Sequence, residues 1–229
     1  MIRAILFDLD GTLVDTERQT DRAIAETLAG MGIAGASLPP QQTRGRTWGD
    51  IVARLTQLYQ IPTPADILER TLLEKWLELA EHAQPIPGAV EAIQQSARHF
   101  KVAIVSSSPR RVIDKFMDAL GVTSEIKPEL RIGAEDVRHP KPDPEGFLIA
   151  ARRLSVHAAE CLVFEDSSAG LRSAQAAGMA AMAVLVACAE PELCRSLAKA
   201  CCQDYHRLPT SFWETLKEDK DGKWLATLK

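Results

Sequence analysis

Ile2-Arg3-Ala4-Ile5-Leu6-Phe7-Asp8-Leu9-Asp10-Gly11-Thr12 reads as a short buried strand running directly into two aspartates spaced two residues apart. A strand rises by about 3.3 Å per residue and alternates faces, so in the turn after it Asp8 and Asp10 can both point into one crevice. Gly11 then lets the backbone turn tightly enough to present amide donors to an anion. Two converging acids with only Leu9 between them repel, which raises one pKa unless a cation joins them. The local chemistry therefore asks for a divalent metal, a shared proton, or both.

Outward from this strand, the stretch from about Asp15 to Gln84 has helical periodicity and no convincing strand. Ala23, Ile24, Thr27, Leu28 and Met31 recur at helical spacing, as do Ile51, Leu55 and Leu58, then Ile67, Leu68, Leu72, Trp76, Leu77 and Ala80. Breaks at Gly35 to Pro40 and at Pro62 to Pro64 divide it into three or four helices. From Pro85-Ile86-Pro87-Gly88 onward the pattern switches to helices alternating with short apolar strands, the signature of βα units and a parallel sheet. Strands are expected at 102–105, more weakly at 130–133, then at 161–164 and 181–186. Helices are expected at about 89–98, 111–120, 144–154 and 169–177, and the tail from about Cys188 reads as helix plus loop. The expected organisation is an α/β core domain of residues 1–14 and 86–229 carrying an inserted helical domain, residues 15–85.

At 229 residues, 46% hydrophobic and 25% charged, the composition is that of an ordinary globular protein. A net charge of −4 leaves no electrostatic footprint for nucleic acid or an anionic membrane. With no run of eighteen apolar residues, the expectation is a cytoplasmic protein without membrane or nucleic-acid partners, a monomer or weak homodimer. Of five cysteines, Cys188, Cys194, Cys201 and Cys202 cluster without the paired spacing of a zinc site, so reduced, partly buried thiols are expected.

In an open parallel sheet, ligands bind outside the carboxyl ends of the strands, so the residues just past each strand matter most. After the first come Asp8 and Asp10. After the second, Ser106-Ser107-Ser108 offers hydroxyls and amides ahead of a helix, an anion cradle. The third leads to His139-Pro140-Lys141-Pro142-Asp143-Pro144, where prolines hold one lysine in a stiff, extended segment. The fourth ends in Glu165-Asp166-Ser167-Ser168. Taken singly each has a bland reading as a cap, a turn or a solvated side chain. Four in order, each directly after an expected strand, make coincidence unattractive.

The sequence here resembles the haloacid dehalogenase superfamily of phosphotransfer enzymes, whose four motifs are matched by Asp8-Leu9-Asp10-Gly11-Thr12, by Ser106, by Lys141 and by Glu165-Asp166. Lys141-Pro142-Asp143-Pro144 and Phe164-Glu165-Asp166-Ser167-Ser168-Ala169-Gly170 look like the subfamily with a helical cap, which holds sugar-phosphate and pseudouridine-5'-phosphatases and β-phosphoglucomutase. The resemblance implies a Rossmann-like parallel sheet with an all-helical cap, and hydrolysis of a small phosphorylated metabolite. Asp8 would be the nucleophile that becomes an aspartyl phosphate, and Asp10 the general acid and then base. Mg²⁺ would be held by Asp8, the Asp10 backbone carbonyl and Asp166, with Glu165 a ligand or an orienter. Ser106, Ser107 and Lys141 would stabilise the transferring group, with Thr16 beside it.

The family's dehalogenases need no metal and lack an acid at the place of Asp10, so Asp10 argues for phosphate chemistry. Mutases of the β-phosphoglucomutase type carry a cap histidine where this sequence has Thr20, so a phosphosugar mutase is the second reading. A non-catalytic regulatory protein on the same scaffold is the third. Arg44-Gly45-Arg46-Thr47-Trp48 is a glycine-punctuated turn in the helical insertion. Its composition and the matching cap loop of relatives predict that Arg46 and Thr47 face the site and hold the substrate's polar end.

Overall fold

Consecutive buried apolar residues make Ala4–Phe7 the first strand, β1, in a computed structural model that describes residues 1–80, 83–219 and 224. The chain continues through β2 (Val14–Asp15), α1 (Glu17–Gly30), α2 (Trp48–Tyr59), α3 (Ala65–Ala80) and β3 (Gln84–Pro85). Then come α4 (Ala89–His99), β4 (Lys101–Val105), α5 (Arg110–Ala119), β5 (Arg131–Ile132) and α6 (Glu145–Leu154). The remainder is β6 (Cys161–Glu165), α7 (Ser168–Ala176), β7 (Ala180–Val184), α8 (Pro191–Leu197), β8 (Ala200–Cys202) and α9 (Phe212–Glu218).

Among the described residues six strands form one parallel sheet in the order β5-β4-β1-β6-β7-β8. Successive side chains of β1 leave opposite faces. Ile5 and Phe7 join a core with α4, α5 and α9, while Ala4 and Leu6 join one with α6, α7 and α8. Both faces are covered, which is why these strands read as unbroken apolar runs rather than as alternating ones. Phe7 pairs in register with Ile104 and with Phe164, and the rings of Phe7 and Phe164 stack at 5.1 Å. Because β4 lies on one side of β1 and β6 on the other, their carboxyl ends open a crevice above this aromatic floor.

The segment between β2 and β3 folds as α1, α2 and α3, packed around buried Leu28, Leu55, Leu68, Leu72 and Trp76. An antiparallel pair brackets it, Val14 opposite Pro85 and Asp15 opposite Gln84. That pair, too short to carry a periodic signal, was not expected from the sequence. Nor was β8: the tail holds a sixth strand, pairing Met182–Val184 with Ala200–Cys202, where only helix and loop were expected. Three residues, two of them cysteines, fall below the length at which β-character shows. The rest of the tail packs on the core, with Trp213 against Phe164 and Phe100, and Trp224 edge-on to Phe212. Residues 81–82 of the expected helical stretch, and 220–223 and 225–229 of the tail, lie outside the described residues. No helix among the described residues is long and apolar enough to cross a membrane.

Candidate active site

Asp8 leaves the end of β1 and is buried, its amide donating to the Phe164 carbonyl of β6 at 3.0 Å. Lys141 reaches it from the proline-bound segment, whose Lys141–Pro142 peptide is cis. The ammonium donates to Asp8 Oδ1 (2.5 Å), Glu165 Oε1 (2.7 Å) and the Val105 carbonyl (3.0 Å). All three of its protons thus have acceptors, and its position is fixed from β1, β4 and β6 at once. Burial pulls the lysine's pKa down, but the charges of Asp8 and Glu165 outweigh it and hold the group above its ordinary range. Burial pushes Asp8 well above the ordinary carboxylate range; Lys141 opposes this, and Glu165 and Asp10 reinforce it.

Asp10, at the mouth of the crevice, is held by hydroxyls. Thr16 Oγ1 donates to Oδ1 at 2.8 Å, while Ser108 and Ser106 donate to Oδ2 at 2.8 and 3.3 Å. Thr16 stands at the N-cap position of α1, yet its side chain makes no capping bond; the hydroxyl is spent on Asp10 instead. Burial raises the Asp10 carboxyl above its ordinary range against the lowering effect of those three hydroxyls. Asp10 therefore retains a proton to higher pH than a solvated aspartate does, as a proton donor requires.

Glu165 and Asp166 end β6 with opposite assignments. Glu165 is fully buried, and its second oxygen accepts from the Ser167 amide (2.8 Å) and hydroxyl (2.9 Å). Ser167 in turn caps α7 by accepting from the Gly170 amide at 3.0 Å. With both oxygens engaged, Glu165 orients Lys141 and the start of α7. Asp166 faces Thr12, whose hydroxyl donates to Oδ1 at 2.9 Å. Gly11 is needed here twice over: its φ is +80°, and a Cβ would overlap the Asp166 carboxylate.

Asp8, Glu165 and Asp166 each bring a carboxylate oxygen within 4.8 Å of the others, all buried. One ammonium facing several buried acids leaves an excess of negative charge, and the donors are all oxygen. That set fits a hard divalent cation of the magnesium type rather than a thiolate- or imidazole-bound metal. A second trio, His139, Asp143 and Glu145, lies toward solvent. Its carboxylates bind the loop's own amides, Glu145 those of Arg138 and His139, and Asp143 that of Glu145.

Helical residues roof the crevice. A cavity above Asp8 and Asp10 is walled by Arg46, Trp48, Ile51 and Trp76, with Ser107 and Ser108 opposite. Trp48 and Trp76 meet edge to face at 6.0 Å, and Trp76 Nε1 donates to Thr20 Oγ1 at 3.0 Å. Arg46 also lines a neighbouring cavity with Asp166, Ser167 and Ser168. Thr47 caps α2, its hydroxyl accepting from the Asp50 amide at 3.1 Å, and it also lines a cavity with Ser106, Ser107 and Lys141. Ser107 donates its hydroxyl to the Gly45 carbonyl at 3.3 Å, tying roof to sheet.

Sequence reasoning singled out Asp8, Asp10, Thr16, Ser106, Ser107, Lys141, Glu165 and Asp166, and the structure brings these to one crevice. Ser108 and Thr12 stood only inside the hydroxyl cluster and the Asp8–Thr12 turn, with no role of their own. The signal for both was spacing, since each lies two residues past a named group, Ser106 and Asp10, and so on the same side of its turn.

The model of the haloacid dehalogenase-like hydrolases matches residues 2–178. The chain is 28% identical over 181 residues to fructose-1-phosphate phosphatase YqaB of Escherichia coli (strain K12), covering 79% of this chain and 95% of that protein. It is 32% identical over 192 residues to protein CbbY of Rhodobacter capsulatus, covering 78% and 83%. Among solved structures, CbbY from Rhodobacter sphaeroides in complex with phosphate superposes with a TM-score of 0.79 over 91% of this chain and 96% of that one, at 24% identity. β-Phosphoglucomutase from Clostridium difficile does so at 0.79 over 95% and 97%, at 20% identity; at these identities the likeness speaks for the fold. The family match runs from before β1 to just past α7, the span that carries Asp8, Asp10, Lys141, Glu165 and Asp166, and the chain belongs to the haloacid dehalogenase-like hydrolases.

Proposed function

We propose that the protein is a Mg²⁺-dependent phosphatase that hydrolyses a small phosphorylated metabolite, a sugar phosphate or a nucleotide-like monophosphate, through an aspartyl phosphate on Asp8. One observation carries this reading: Lys141 pins Asp8 at the end of β1 while Thr16, Ser106 and Ser108 hold Asp10 two residues away in the same cavity. The relatives named as phosphatases support it. Residues 15–85 act as the cap, and 1–14 with 86–229 as the catalytic core.

Asp8 attacks phosphorus in line, and the bond to the leaving alcohol breaks. Asp10 gives its proton to that oxygen. A water then attacks the phosphorus of the aspartyl phosphate, Asp10 takes back a proton, and phosphate leaves with Asp8 regenerated. Lys141 and the Ser106 and Ser107 groups stabilise charge on the transferring phosphoryl group. Asp8, Asp166 and the Asp10 main-chain carbonyl would hold Mg²⁺, which supplies charge neutralisation between the phosphoryl oxygens and the attacking carboxylate. Thr20 accepts from Trp76, and among the described residues that line the cavity no imidazole stands there to relay a proton as a mutase would need.

Purified protein with Mg²⁺ should release phosphate from at least one member of a panel of sugar phosphates, nucleoside monophosphates and short organic phosphates. EDTA should abolish the release, and added Mg²⁺ should restore it. Full activity in EDTA would remove the metal from the reading, and transfer between positions of one sugar without free phosphate would favour a mutase.

Arg46 is the residue of the roof that holds the substrate's polar end. On its best substrate Arg46→Ala should raise KM by roughly tenfold, the scale of one charge-assisted hydrogen bond. On p-nitrophenyl phosphate it should change little. Equal losses on both, or no loss on either, would exclude Arg46 from specificity.

A further inference from the structure

Cys188 and Cys194 take no part in the chemistry above, yet they stand against it. The chain leaves the carboxyl end of β7 and turns into α8, and that turn brings the two sulfurs to 2.9 Å across six positions of sequence. Both thiols are free, Cys194 buried and Cys188 partly exposed. A disulfide has an S–S length of about 2.05 Å, so closing the bond needs less than about 1 Å of approach. The other cysteines offer no such partner: Cys161 and Cys202 are buried in strands, and Cys201 lies beside the Arg195 guanidinium at 3.0 Å. The contact with the Cys194 sulfur, the Glu190 amide and the Arg44 charge hold the Cys188 thiol below its ordinary range despite partial burial, which favours the reactive thiolate.

Three contacts tie this stretch to the site. Cys194 Sγ lies 3.4 Å from the main-chain carbonyl of Asp166. Glu190, between the two cysteines, accepts from Ser168, the first residue of α7, at 2.8 Å. Ala187, next to Cys188, accepts through its carbonyl from Arg44 Nη1 at 2.5 Å, and Arg44 belongs to the same turn as Arg46. Drawing the sulfurs together therefore pulls on the Asp166 backbone from one side and on the roof of the crevice from the other.

We propose that Cys188 and Cys194 are a redox-modification site, an intramolecular dithiol that closes to a disulfide under a hydroperoxide oxidant and lowers the activity of the hydrolase. The Cys188 thiolate attacks one peroxide oxygen, the O–O bond breaks, and a sulfenic acid forms with release of hydroxide, which takes up a proton to become water. Cys194 then attacks that sulfur, its proton leaving with the sulfenic oxygen as a second water, and the S–S bond forms. Two thiols and one hydrogen peroxide thus give one disulfide and two waters, the sulfurs supplying the two electrons. A dithiol reductant reverses the bond by exchange.

The effect on activity rests on the phosphatase reading, whereas the linkage does not. Full-length protein treated with hydrogen peroxide under native conditions, then alkylated, digested and mass-mapped, should yield a peptide pair joined through Cys188 and Cys194 that dithiothreitol separates. Phosphate release should fall by roughly tenfold or more, the scale of an ångström-sized misplacement at a reacting centre, and should return on reduction. Cys188→Ser should keep the basal rate and resist the peroxide. Absence of the linked pair in protein oxidised elsewhere would overturn the proposal, as would equal inactivation of Cys188→Ser. Absence of turnover in the reduced protein would overturn the phosphatase reading alone.

Discussion

Asp8→Asn removes turnover and leaves the fold standing. The asparagine keeps the size of the side chain but has no anionic oxygen to attack phosphorus, so kcat should fall by roughly 10⁴-fold or more, as when a covalent nucleophile is deleted elsewhere. The expected stability effect has the opposite sign. Burial and the charges of Glu165 and Asp10 disfavour the ionised Asp8, while Lys141 favours it. Replacing it removes one negative charge from a cluster with too many, and Lys141 keeps Glu165 and the Val105 carbonyl as partners. Without added metal, the variant should therefore melt no lower than the parent. Activity within tenfold of the parent would refute the nucleophile assignment, and a melting point several degrees lower would refute the charge argument.

Lys141→Met has the second large effect and strikes both properties. The ammonium is buried and is the shared partner of Asp8 and Glu165. Its loss leaves two carboxylates facing each other out of water, and removing one partner of such a buried set costs about 3–5 kcal/mol. Denaturant unfolding of metal-free protein should show that loss. Adding Glu165→Gln should recover part of it, because the double variant no longer buries that unpaired charge. Turnover should be lost in both variants, since no other ammonium or guanidinium among the described residues bonds the nucleophile. An unchanged midpoint in the single variant, or no recovery in the double, would mean that the ion pair is not what holds these strand ends together.

Much of this was legible in the sequence for a physical reason: strands buried on both faces read as unbroken apolar runs, and in a parallel sheet the residues just past each such run arrive at one rim. β1, β4 and β6 were marked this way, so Asp8, Ser106 and Glu165-Asp166 could be placed together before any coordinates. What could not be read was which partner each group would choose. Glu165 and Asp166 are adjacent acids with equal title to a metal, and only the fold shows that Glu165 is taken by Lys141 and Ser167 while Asp166 faces Thr12. Thr47 and Arg46 are adjacent in one polar turn, yet Thr47 caps α2 and lines a cavity with Ser106 and Lys141 while Arg46 lines the one above Asp8 and Asp10. The sulfur pair is hidden for the same reason, because six positions of sequence say nothing about how the turn after β7 closes. Two-residue β2 and β3 and three-residue β8 owe their existence to neighbours rather than to their own pattern.

The most direct test of the account is to mix enzyme and a turned-over phosphate ester in Mg²⁺, quench with acid within the first turnovers, and map the digest by mass. The peptide containing Asp8 should carry one phosphoryl group that disappears at longer times and never forms in Asp8→Asn. A phosphoryl group on another side chain, or steady turnover with the Asp8 peptide unmodified at every time point, would contradict the mechanism.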